Sequence, residues 1–188
     1  MVKVLGKSGG LSEKVIDNWL DLERLWELKD ILRGREDRLN RIAYKFVNSH
    51  ISFILKIRYF ELGKRHNLKA MIITTLPIFT NLLTGKLEFN EFIETLSGSS
   101  AAYQYLKASE LILINTVDEY LITLCELFNE IVEVLSLELD GDFNKKIFKI
   151  ITSDDLELKL ISALALSLLE FALLLNTDVL KTSHRSKR

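Results

Sequence analysis

Every apolar segment longer than ten residues in this chain carries the three- and four-residue step of a helix. The clearest case follows Glu36. Leu39, Ala43, Phe46, His50, Phe53, Ile57 and Phe60 form one apolar stripe, while Arg38, Arg41, Lys45, Ser52 and Lys56 form a polar, basic one. A helix over 36–62 would run about 40 Å and act as the staff of the fold. Before it, Val15, Trp19, Leu22 and Trp26 predict a helix from Ser12 to about Leu32, with Gly34 providing the break. Trp residues on such a face are core anchors, or partner hot spots where exposed.

Gly63 closes the long helix, and a helix from Asn67 to about Leu83 follows, which Pro77 should kink or end near Thr75–Leu76. Gly85 ends that element, and Phe89, Phe92, Ile93 and Leu96 predict a short helix. The small-residue loop 97–100 separates the halves. Beyond it, a helix from Ala101 to Leu137, with an irregularity at Asn115–Thr116, carries the seam Val117, Leu121, Leu124, Phe128, Ile131 and Leu135. Glu119, Glu126, Glu130 and Glu133 share its other side. A turn at 140–142, a short helix or extended piece over 143–151, and a highly apolar helix over 154–176 complete the chain. The expectation is an all-α bundle of six to eight helices in two packed layers. It forms a single domain over 1–188, with sub-bundles 11–98 and 99–180 and flexible termini at 1–10 and 182–188.

Composition supports that class. With one Pro and eight Gly in 188 residues, the chain lacks the punctuation of a turn-rich sheet, and 48% hydrophobic against 27% charged residues is globular. One Cys excludes an intramolecular disulfide framework, and the absence of a secretory signal at the start predicts a cytoplasmic location. A lone Gln, Gln104, beside abundant Ile, Leu, Lys and Glu follows the thermophile tendency. The segment 160–180 is long enough to span a bilayer, but Glu170 at its middle favours a buried core helix over stable membrane insertion.

The net charge of −1 conceals an asymmetry, with the two halves near +4 and −5. Ten Lys/Arg against three acids lie between Arg33 and Lys69, while Ala108–Asn144 holds nine acids and no Lys or Arg. Either the two faces attract each other within the bundle, or each meets a partner. On the second reading Arg38, Arg41, Lys45, Lys56, Lys64 and Arg65 form a nucleic-acid or partner-binding face. Glu119, Glu126, Glu130 and Glu133 then form an acidic partner-binding face.

Enzymatic motifs are sparse. The three histidines, His50, His66 and His184, lack metal-ligand spacing, and no phosphate loop, nucleophile elbow or dinucleotide fingerprint occurs. His50, on the apolar stripe, reads as a hydrogen-bonded core residue. Glu91-x-x-Glu94 and Glu130-x-x-Glu133 each align two carboxylates on a helix face, as helical Mg²⁺-dependent nucleotide pyrophosphohydrolases do. The favoured expectation is a non-catalytic helical subunit or adaptor without metal or cofactor. Its partner would be a protein, with nucleic acid as a further partner and an oligomer allowed.

Asp30–Ala43, DILRGREDRLNRIA, resembles the helix of the α-helical domain of archaeal GINS replication subunits. That resemblance implies a replication scaffold joining a helicase to other replication proteins. Those subunits also carry a small β-rich domain, which has no counterpart here. The small helical subunits of CRISPR effector complexes share the basic helix face and are a third alternative.

Overall fold

A computed structural model describes residues 13–59, 65–97 and 110–180 of the chain. Among these the fold is all-α, with eight helices and no strand. They are α1 (Glu13–Leu20), α2 (Leu22–Leu32), α3 (Arg38–Tyr59), α4 (Arg65–Leu83), α5 (Phe89–Ser97), α6 (Glu110–Leu135), α7 (Phe143–Ile151) and α8 (Leu156–Leu175). The long helix expected over 36–62 is α3, and the segment 143–151 is helical.

One local expectation is corrected, and one of the two alternatives at Pro77 is removed. The helix expected to run unbroken to Leu32 is split at Asp21, whose extended backbone and side chain cap α2, Oδ1 accepting the Arg24 amide at 3.3 Å. Pro77 does not end its helix, since α4 runs through it to Leu83. Its ring deprives the Ile73 carbonyl of a donor, and Ile73 lies on an exposed turn where water can replace the lost bond. In α6, Asn115 and Thr116 are helical without interruption. The expected flexible termini, Gly63 and the 98–100 part of the 97–100 loop lie outside the described residues.

The helix starts follow short-range chemistry. Asp37 caps α3, its Oδ1 accepting the Asn40 amide at 3.1 Å, and those bonds hold its carboxyl below the usual range. Asp155 caps α8 by accepting the Leu158 amide at 3.2 Å. The Asp30–Ala43 stretch therefore covers the end of α2, the bend at Gly34 (φ +83°) and the first turns of α3.

α3 packs on α2 at one side and α6 at the other, while α8 is enclosed by α6, α4, α1 and α7. From Leu158 to Leu174 every residue of α8 is buried. One continuous core cluster draws from both halves of the sequence. The window Leu158–Leu175 is long and apolar enough to cross a membrane, and 89% of it is buried within the bundle.

The α6–α7 connection caps α4. The Asp140 amide donates to the Leu83 carbonyl at 3.1 Å, and Lys146 Nζ donates to the Leu82 carbonyl at 2.9 Å and to Asp140 Oδ2 at 2.6 Å. A cation on the last carbonyls complements the helix dipole. Gly85 turns away at φ +81°, and a Cβ there would sit 3.3 Å from Asp140 Cγ. Gly85→Ala should therefore cost about 2–3 kcal/mol, more than the roughly 1–2 kcal/mol of the left-handed backbone alone, because Asp140 must shift from its carbonyl and ammonium partners. Chemical denaturation should show a lower midpoint, and Asp140→Ala should remove the excess.

Candidate interaction face beside a buried polar ring

α3 and α6 run antiparallel. Arg38 lies level with Glu133 at one end, and Phe53 stacks on Tyr120 at a centroid distance of 4.0 Å further along. The outward positions of α3 read Arg38, Arg41, Lys45, Asn48, Ser52, Leu55 and Lys56, all exposed. Those of α6 read Asn115, Glu119, Ile122, Glu126, Asn129 and Glu133, also exposed, with Glu130 half-buried between them. Leu55 and Ile122 retain 45% and 44% of their surface, so each charged row carries one apolar side chain. A groove of about 220 Å³ runs between the helices, with Ser52 and Lys56 on one wall, Thr116 and Glu119 on the other, and Phe53 and Tyr120 at its floor.

The two rows touch at one end. Arg38 Nη1 donates to Glu133 Oε1 at 3.0 Å, which holds the Glu133 carboxyl below its ordinary range and lifts the guanidinium, with Glu130 adding to the field. Among the described residues, Arg41, Lys45 and Lys56 have no carboxylate within ion-pair distance. Side chains on outward faces of neighbouring helices diverge, so equal height does not bring them together. Lys64 lies outside the described residues, as does the side chain of Arg65. The structure thus brings the first four basic candidates and the four glutamates onto one face, and joins only Arg38 to Glu133.

Behind this face the buried polar groups close on one another. His50, on α3, is fully buried. Its Nε2 lies 2.6 Å from the Trp19 carbonyl, which can only accept, so Nε2 carries the proton and Nδ1 accepts from the Tyr120 hydroxyl at 2.7 Å. Tyr120 in turn accepts from Ser167 Oγ at 2.5 Å, and Ser167 accepts from Trp19 Nε1 at 2.9 Å. The donor directions run Trp19 indole, Ser167, Tyr120, His50 and back to the Trp19 backbone. This ring ties α1, α3, α6 and α8 together and uses both nitrogens of His50. Burial depresses the imidazole to about 4, partly offset by the Trp19 carbonyl, so the ring is neutral at physiological pH. His50 is therefore the hydrogen-bonded core residue its stripe implied. Sequence reasoning did not find Ser167 or Tyr120 as its partners.

Glu170 is the other buried polar group of consequence. It is fully buried in α8, among the described residues neither oxygen has a hydrogen-bond partner, and burial raises its carboxyl well above the usual range. The Cys125 thiol is likewise pushed up by burial, which makes it a poor nucleophile. Trp19 is a core anchor, whereas Trp26 is 43% exposed with the Lys29 ammonium 4.8 Å from its ring centroid. Among the described residues, no group of three His, Cys, Asp or Glu side chains could hold a metal ion. Glu91 and Glu94 are exposed, and Glu130 and Glu133 lie beside Arg38.

The fold and surface define an all-α bundle with a clasped interior and a two-signed outer face. No protein-family model, curated protein or solved structure matches the chain.

Proposed function

We propose that the protein is a non-catalytic helical subunit or adaptor of a multiprotein assembly, docking through the α3–α6 face. The observation that carries this reading is the placement of Arg41, Lys45 and Lys56 in one exposed row beside the acidic row of α6. Packed helices lie about 8–10 Å apart, within the Debye length of about 8–10 Å at physiological salt. A phosphate backbone following the α3 row would therefore feel the α6 carboxylates as repulsion. A protein surface carrying both signs would be attracted along both rows. That favours a protein partner over nucleic acid. A replication scaffold of the kind implied by the GINS resemblance is one setting for such a subunit.

The test is affinity capture from lysate with the full chain and with Arg41→Glu/Lys45→Glu. A stoichiometric protein partner lost in the variant is the expected result. Mg²⁺-dependent nucleoside triphosphate hydrolysis abolished by Glu130→Gln would overturn the reading in favour of the hydrolase. Oligonucleotide binding that strengthens as salt falls and vanishes in the α3 variant would favour nucleic acid.

A further inference from the structure

We infer that the α3–α6 face binds a second copy of this chain, making a weak two-fold dimer held by charge complementarity. The inference deepens the adaptor reading by naming one partner, and it rests on that reading's choice of face.

The argument is geometric. The basic row of α3 and the acidic row of α6 lie side by side and antiparallel, level at Arg38–Glu133 and again at Phe53–Tyr120. Counting inward from those anchors, Arg41 is level with Glu130 and Lys45 with Glu126. A two-fold axis parallel to the helices, placed just outside the face, exchanges left and right while keeping height. It lays the α3 of each copy over the α6 of the other. Arg41 and Lys45 of one copy then stand opposite Glu130 and Glu126 of the other, and the same contacts recur by symmetry. Such an interface is isologous, with one patch complementary to itself. Rotation about an axis perpendicular to the helices would instead set like charges together, so the charge pattern selects one arrangement.

The size of the face fits a weak dimer. Arg38 to Lys56 spans about 27 Å of helix, and two adjacent helices are about 20 Å wide, so a dimer would bury roughly 1,000 Å² in total. That is the lower limit for a specific interface. Leu55 and Ile122, both close to half exposed, supply its apolar contacts. Most of the rest is charged, so association depends strongly on screening.

The experiment is sedimentation velocity of the purified full chain at about 0.1 M and about 1 M salt, where the Debye length falls from about 10 Å to about 3 Å. Dimer at low salt and at least tenfold weaker association at high salt are expected. Arg41→Glu/Lys45→Glu makes the centres of both rows acidic, and Glu126→Lys/Glu130→Lys makes both centres basic, so each variant alone should be monomeric. Mixed together, the two variants should form a heterodimer, which repulsion within a misfolded protein could not produce. A wild-type chain that stays monomeric at low salt overturns the inference. So does a dimer indifferent to salt and to both variants, or a mixture of variants that fails to associate. If the wild type is monomeric but captures a different protein through the same face, self-association fails and the adaptor reading stands. If it is monomeric and instead shifts an oligonucleotide, both fail.

Discussion

Breaking the buried ring should produce a large loss of stability for a single polar substitution. His50→Leu leaves the Trp19 carbonyl and the Tyr120 hydroxyl buried without their partner, and should cost about 2–4 kcal/mol. For a chain of this size that lowers the melting temperature by about 4–16 °C. Ser167→Ala removes the acceptor of the Trp19 indole and the donor to Tyr120, and should cost about 1–3 kcal/mol. The two effects should not add. Once either member is gone the chain of donors is open, so the double variant should fall short of the sum by about 0.5–3 kcal/mol. Denaturant titration of the four proteins measures this directly, and strict additivity would mean that the ring is not a cooperative unit.

Removing the buried carboxyl should do the opposite. Glu170 contributes no hydrogen bond and its polar head is desolvated, so Glu170→Leu should stabilise the fold by about 1–3 kcal/mol at neutral pH. The pH dependence separates this from a generic packing gain. A carboxyl raised in the folded state keeps its proton while the unfolded chain ionises, so the wild-type contribution of Glu170 is best below about 4.5 and worsens as pH rises from there. His50 runs the other way. Its imidazole falls from 6.5 to about 4 on folding, so its stability is present above 6.5 and about 3 kcal/mol is lost as pH falls to about 4. Between about 4.5 and 6.5 the two slopes oppose each other. Wild-type stability should therefore change little through that window on their account. Glu170→Leu should expose the His50 slope, with stability dropping on acidification, and His50→Leu should expose the Glu170 slope, with stability rising. Equal pH profiles for wild type and Glu170→Leu would show that Glu170 does not hold its proton in the fold.

Most of the helical architecture is local in origin and was legible. The apolar stripe from Leu39 to Phe53 folds as α3, the seam from Val117 to Leu135 as part of α6, and the apolar run after Asp155 as α8. Each rests on period and caps within a few residues. The departure at Asp21 and the choice left open at Pro77 were local competitions that sequence pattern weighs poorly. At Asp21 a side-chain cap won over helix continuity, and at Pro77 a solvated surface turn let the helix pass.

The candidate site was legible as two rows but not as one face. Charge spacing alone placed Arg38, Arg41, Lys45 and Lys56 on one helix side, and Glu119, Glu126, Glu130 and Glu133 on another. That these sides adjoin, antiparallel and level, depends on Phe53 stacking on Tyr120 and on Arg38 reaching Glu133, contacts between residues 67 and 95 positions apart. The ring was still less visible, since Trp19 and Ser167 are 148 positions apart. Its one-dimensional traces are His50 on the apolar stripe of α3 and Ser167, one of two serines in α8, and nothing in the sequence pairs them. Helical period is set by the backbone within each segment, so the sequence by itself determined the elements and the chemistry of their faces. Which faces meet depends on how helices share one core, and only the tertiary structure decided that Trp19, Tyr120 and Ser167 are the partners that clasp His50 and that the charged rows adjoin on the outside.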